Sequence, residues 1–327
     1  MEWNTPTYTK LLSLYMYNVL LPSLRIHNNL LHSTIYYSHY YSSIWVNSYN
    51  SVIAKIRVII HFFIWQMNLL LVENAYTVTF SPDLIRSKTI SNGISCTRLE
   101  ALQQKYKYDG YETELYDLSK LKLKENTKLT NSKDILKEEA SILIVRQFKF
   151  GICLHTIEGE LKNIKYDTKC VGRNSAKYTA ILTSNSPIQS IQSKDSVYDF
   201  NTLEGLNSVK EDLEEVTECF LKGDINYYYN ISNCGIGWHG DADRNIVCGF
   251  RVGSDMNILF RWYQDRNIVS EHLELILHSG DLYIMSEKAI GTDWKKYAKG
   301  LLTLRHAAGS KKYTEIEAQK EVKPTNK

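Results

Sequence analysis

His239-Gly-Asp241 carries the most chemical content of any spacing in this 327-residue chain. In an extended segment residues i and i+2 project to the same face, so an imidazole and a carboxylate two apart enter the same space. That pair is two-thirds of a facial triad of two His and one carboxylate. Such triads hold non-haem Fe(II) and leave coordination positions open for a co-substrate and O₂. Nine histidines are present, so about 0.4 His-x-Asp pairs are expected by chance at ordinary composition. A loop histidine beside a solvated aspartate is therefore the competing reading. Upstream, Asn226-Tyr-Tyr228 lies in a strand-like run, where the carboxamide and phenol suit hydrogen bonding to a bound co-substrate. A tyrosine-rich strand packed for its own sake is the alternative.

These residues need a frame, and the apolar pattern supplies one. Leu206, Val209, Leu213, Val216 and Phe220 recur at helical spacing, which predicts an amphipathic helix stopped near Gly223. Beyond it, apolar and β-branched runs at 225–229, 246–252, 257–263, 273–277, 281–285 and 301–305 predict short strands joined by turns such as Ser279-Gly-Asp281. Earlier in the chain, Ala75-Tyr-Thr-Val-Thr-Phe80 alternates like a strand, and Ser141–Val145 reads as a buried one. Thr97-Arg-Leu-Glu100 has the form of a capping box opening a short helix. Residues 117–139 read as a solvated connector, and 183–194 as a loop around Pro187. The expected class is α+β: a β-rich sandwich or barrel with a flanking helix, preceded by a small α/β segment.

Lys and Arg total 39 against 36 Asp and Glu. Residues 1–72 contain Lys10, Arg25, Lys55 and Arg57 against Glu2 alone, so the remaining 35 bases and 35 acids balance over 73–327. A polybasic binder is excluded; local basic patches are not. Six cysteines without a C-x-x-C pair read as reduced thiols, neither a disulfide framework nor a zinc site. The first 72 residues hold eight of the 23 tyrosines and four of the nine histidines. Within them, 52–72 has the length of a membrane span but is interrupted by Lys55, Arg57, His61, Gln66 and Asn68. The expected organisation is a Tyr-rich hydrophobic leader over 1–66, with Met67 as an alternative start, and an α/β region over 67–150. A β-rich domain over 151–313 and a disordered tail over 314–327 complete it. The compartment expected is the cytoplasm, with the nucleus as a second location and a membrane anchor only if 52–72 spans.

Taken together, the motifs resemble the AlkB-like group of 2-oxoglutarate/Fe(II) dioxygenases. Members run Asn-x-Tyr, then His-x-Asp about a dozen residues on, a Gly-Asp turn, a distal His, and finally Arg-x-Asn-x-x-x-Arg. Here Asn226 and Tyr228 precede His239 by 13 and 11 residues. Leu277–Met285 looks like the turn and strand, and Leu302–Gly309 like the closing strand with its arginine, Arg305. The resemblance spans roughly 165–313. It implies a double-stranded β-helix (jelly roll), Fe(II) on His239 and Asp241, and 2-oxoglutarate as co-substrate beside O₂. Asn226, Tyr228, Lys299 and Arg305 would bind that co-substrate, Arg305 through a bidentate fork and Lys299 as a point charge where the family has its other arginine. Leu301 stands where the family has Asn. The Gly172–Tyr178 segment is similar to the substrate border, which makes Arg173, Tyr178, Trp238 and Arg244 candidate rim residues. The implied substrate is an N-alkylated nucleic acid or protein.

The family's distal histidine is missing between Met285 and Arg305. Ungapped spacing puts Lys295 at its position, with Asp293 two residues early; His278 and His306 read as structural or surface residues. Three states follow from the sequence: a weak two-ligand site, an unusual third ligand, or a jelly-roll binding module that has lost its metal.

Overall fold

The computed structural model describes residues 74–82, 92–125, 138–149, 151–169, 171–172, 174–184, 196–296 and 299–315. All of them belong to one compact unit, Leu71–Lys327. The leader, the 52–72 stretch, the loop around Pro187, Arg173 and nearly all of the expected tail fall outside these residues. Among the described residues no helix is long and apolar enough to cross a membrane.

Among the described residues, fourteen strands form two sheets. In chain order they are β1 (Ala75–Pro82), β2 (Thr113–Asp117), β3 (Ser141–Val145), β4 (Ser175–Ala176), β5 (Tyr178–Thr183), β6 (Val197–Asp199) and β7 (Leu221–Tyr228). β8 (Gly235–His239), β9 (Val247–Gly253), β10 (Met256–Gln264), β11 (Asn267–Ile268), β12 (Leu273–Leu277), β13 (Leu282–Met285) and β14 (Leu302–Gly309) follow. The larger sheet runs β2-β3-β13-β9-β1-β7-β5-β6, and the smaller β11-β10-β14-β8-β4 with β12 also on β10. Pairing is antiparallel except between β5 and β6. The mixed, mainly β architecture is the α+β class expected from the apolar pattern.

Helices α1 (Cys96–Tyr108), α2 (Ile152–Asn163) and α3 (Glu204–Thr217) cover one face of the larger sheet. Leu99 and Leu102 of α1, Ile157 and Leu161 of α2, and Leu206, Val209 and Leu213 of α3 pack there on Val78, Phe80, Ile225 and Phe250. The opposite face meets the smaller sheet, with Ile142, Ile144, Val247, Ile258, Phe260, Trp262 and Leu304 between them. Two short helices, α4 (Glu287–Ile290) and α5 (Lys311–Thr314), close loops beside the smaller sheet.

Three local readings change. α1 begins one residue before Thr97, and its cap is Ser95, whose hydroxyl accepts from the Arg98 amide at 3.1 Å. α3 ends at Glu218, which adopts φ 56°, while Gly223 lies inside β7. A Cβ at Gly223 would sit 3.1 Å from Leu182 and Phe200, so close packing rather than helix termination explains the glycine. Finally, the described strands of 67–150 belong to the same two-sheet unit as the rest of the described chain. β1 is the central strand of the larger sheet, flanked by β7 and β9 and buried along all eight residues, and β3 pairs with β13. Its alternation splits between Tyr76, Val78 and Phe80, which join the helix-side core, and Thr77 and Thr79, which face the other sheet.

Candidate metal centre and cavity

Between the sheets the apolar core gives way to a cavity of about 260 Å³ lined by both polar and apolar side chains. β7 contributes Asp224, Asn226 and Tyr228 at successive inward positions, and β9 contributes Arg251. Across from them stand His239 at the end of β8 and His306 on β14, which are register partners in the smaller sheet. Asp241, just past β8, completes a cluster in which one donor atom from each of His239, Asp241 and His306 lies within 4.8 Å of the others.

The donor set faces inward. His239 Nε2 is 3.7 Å from Asp241 Oδ1, and His306 Nε2 is 3.9 Å from Asp241 Oδ2. The imidazole centroids are 4.4 Å apart. His239 Nδ1 lies 2.7 Å from the Gly237 carbonyl, which fixes the proton on Nδ1 and leaves the Nε2 lone pair toward the cluster. Burial pushes the His239 imidazole below its ordinary range, outweighing the attraction of Asp241. Burial, reinforced by His239, pushes His306 down to about 3. Burial alone would raise the Asp241 carboxyl; His306, His239 and Arg244 outweigh it and keep the carboxyl low. Two neutral imidazoles and a carboxylate are the protonation states a divalent cation requires. Donors spaced this way can converge on one ion with little rearrangement, so the residues present fit a metal.

Close packing holds the turn between the ligands. The Asp241 amide donates to the Ile290 carbonyl at 3.0 Å. Gly240 abuts the loop after α4: a Cβ there would lie 2.1 Å from the Gly291 carbonyl oxygen. Gly291 itself takes φ 72° against the Leu304 carbonyl of β14. One loop thus packs on both ligand-bearing strands.

The sequence-derived candidates separate clearly. His239, Asp241, Asn226, Tyr228 and Arg244 all line the cavity. Arg244 donates to Asp224 at 2.8 Å, and Lys177 reaches the Asn226 side chain. The residue that joins His239 and Asp241 in the cluster is His306, not Asp293 or Lys295 as expected. Asp293 accepts from Lys288 at 2.9 Å, and exposed Lys295 lies 5.2 Å from the Trp294 ring. Arg305, one residue from His306, points to the opposite face of β14, where its guanidinium stacks 4.0 Å from the Tyr263 ring centroid. Lys299 is exposed ahead of the strand. Neither lines the cavity, so the co-substrate role expected of them has no geometric support. Trp238 is also on the outer face, donating to the Thr314 carbonyl at 2.7 Å under the Arg261 guanidinium. Tyr178 stacks on Tyr229 at 4.2 Å, on the face of β5 away from Lys177 and Thr179. Of the four rim candidates only Arg244 faces the cavity, with Arg173 outside the described residues.

A two-sheet α+β protein with a His–Asp–His cluster inside is the class that fold and site define. No protein-family model matches the chain. It is 37% identical over 237 residues, 69% of this chain and 89% of the relative, to uncharacterized protein R156 of Acanthamoeba polyphaga mimivirus. The chain belongs to the family of that viral protein.

Proposed function

We propose that the chain is an AlkB-like Fe(II)/2-oxoglutarate-dependent dioxygenase that hydroxylates an N-alkyl group on a nucleic acid or protein. The observation that carries the proposal is the convergence of one donor atom each from His239, Asp241 and His306 within 4.8 Å inside a cavity between two sheets. Two imidazoles and one carboxylate are the donor set of the non-haem Fe(II) oxygenases. The strand order supports a double-stranded β-helix. From β7 to β14 the main strands pass between the sheets, leaving β13-β9-β1-β7 in one and β12-β10-β14-β8 in the other. A further strand after β14 would return to the larger sheet between β9 and β7, and β1 fills that place.

The metal, when bound with 2-oxoglutarate, supplies O₂ activation coupled to decarboxylation to succinate. The chain's own residues do the rest. His239, Asp241 and His306 would hold the ion at the cavity wall. Asn226 and Tyr228 offer hydrogen bonds to a ligand in that space. Hydroxylation of the N-bound carbon gives a hemiaminal whose C–N bond breaks, returning the N–H and releasing an aldehyde, formaldehyde where the group is methyl. The cavity is smaller than the pockets that enclose drug-sized ligands, so an amino-acid side chain or one unstacked base enters while the body of the substrate stays outside. The alternative, a metal-free binding module, was argued from a missing distal donor; His306 beside His239 and Asp241 supports the metal-binding reading over it.

The test is 2-oxoglutarate turnover by the full chain. Fe(II)-dependent succinate formation that disappears in His306→Ala and persists in Lys295→Ala is expected. Equal turnover by wild type and His306→Ala would overturn the proposal.

A further inference from the structure

The depth of the cavity is buried and one edge of it is not. Tyr228, Val247, Tyr283 and Met285 line the depth and are buried, whereas Thr179, Ile181, Asp224 and Arg244 line the cavity half-buried. The mouth therefore lies between β5 and β7 of the larger sheet and the turn after β8 of the smaller one. Two polar links cross it. Arg244, in that turn, donates from Nη2 to Asp224 Oδ2 of β7 at 2.8 Å, and Lys177, between β4 and β5, reaches the Asn226 side chain. Little holds the first link closed. It is a single hydrogen bond rather than a bidentate fork. The Arg244 and Asp224 side chains keep 20% and 25% of their surface exposed, where an ion pair adds little stability and is screened by salt. Arg244 Nε is meanwhile buried without a hydrogen-bond partner, a cost that swinging the guanidinium into water removes. Gain and cost of the closed position nearly cancel. The Asp241 turn does not depend on this link, because the Ile290 carbonyl and the Gly240–Gly291 contact hold it.

We infer that the Arg244–Asp224 ion pair is a gate across the mouth of the cavity, closing it from outside and swinging apart to admit a ligand. Thr79 lines the same cavity and is the partner of Asp224 across the β1–β7 ladder, so a group at position 79 becomes reachable when the pair opens. The gate follows from the cavity and the ion pair alone and goes beyond the oxygenase reading. For the reaction proposed above, its opening precedes entry of the substrate group.

The test is labelling of the metal-free full chain carrying Thr79→Cys with methyl methanethiosulfonate, a small neutral reagent that charge does not steer, read site by site by peptide mass spectrometry. The native thiol of Cys248, buried in the helix-side core, reports global opening in the same sample. Adding Asp224→Asn, which removes the charge without changing side-chain size, should speed labelling at position 79 at least tenfold and leave Cys248 unaffected. Raising the salt concentration should speed labelling at position 79 in the Thr79→Cys chain but not once Asp224→Asn is added. An unchanged rate at position 79 with Asp224→Asn, or an equal acceleration at Cys248, would overturn the inference. So would labelling of the Thr79→Cys chain as fast as a free thiol. If Thr79→Cys does not fold, Met285→Cys, on the cavity wall from β13, gives the same reading. No metal enters the measurement, so failure of the gate leaves the metal centre standing, and absence of Fe(II) binding leaves the gate standing.

Discussion

Gly240→Ala puts one methyl group between the two ligands that share a turn, and the structure sets the size of the effect. The new Cβ would lie 2.1 Å from the Gly291 oxygen, 2.8 Å from its carbonyl carbon and 2.8 Å from Trp294 Cδ1. Ordinary van der Waals contact begins near 3.4 Å, so the 239–241 turn and the 291 loop must separate by roughly 1 Å, given the overpacking behaviour of tight interiors. The obstacle is backbone and the base of an indole, neither of which swings away as the end of a flexible side chain does. Overpacking of this kind costs about 1–3 kcal/mol of stability. The effect on the metal is sharper, because ligand distances tolerate only about 0.2 Å. Fe(II) affinity should fall at least tenfold, about 1.4 kcal/mol, while the chain remains folded. Anaerobic titration with Fe(II), paired with a thermal melt, reads both quantities. A Gly240→Ala protein with wild-type Fe(II) affinity would show that the Gly240–Gly291 contact does not position Asp241.

Other consequences follow from the same geometry. His239→Ala and His306→Ala should reduce Fe(II) affinity to similar extents, whereas Lys295→His should not raise it, since Lys295 is exposed and away from the cluster; metal titration of the three variants checks this. The metal-free chain should lose stability as pH falls from about 6.5 toward 3. His306 titrates near 3 when folded against 6.5 as its ordinary value, so the unfolded chain binds the extra proton across that window. Denaturant midpoints should therefore rise with pH there, with a shallower slope in His306→Asn. Removing residues 1–66 keeps β1, whereas removing 1–82 takes the central strand out of the larger sheet; the second truncation should fail to fold by circular dichroism.

Much of the architecture was legible because alternation and helical spacing report which face of an element is buried. β7, β9, β10, β12, β13, β14 and helix α3 follow from that pattern, whereas β8 and β11 carry no such apolar run. So did four inward residues, His239, Asp241, Asn226 and Tyr228, whose spacing on a strand or at its end fixes their side. The third donor was hidden by the arginine beside it. Taking Arg305 as the family's co-substrate residue turns β14 so that odd positions face inward, which excludes His306 and sends the search upstream to Asp293 and Lys295. Leu302, Leu304 and Ala308 share the parity of His306, and with Leu302 and Leu304 in the core between the sheets they were the signal that even positions face inward. The role of β1 had no local trace. Its sequence says buried strand, but only long-range pairing puts an N-terminal strand between β7 and β9.

The central claim is that His239, Asp241 and His306 bind one metal ion, and anomalous diffraction from crystals of the full chain grown with Mn(II) tests it most directly. The account predicts a single strong anomalous peak at bonding distance from His239 Nε2, an Asp241 carboxylate oxygen and His306 Nε2, with the cavity side open. A peak coordinated instead by Asp293 or Lys295, or a well-ordered cluster with no peak at saturating Mn(II), would contradict it.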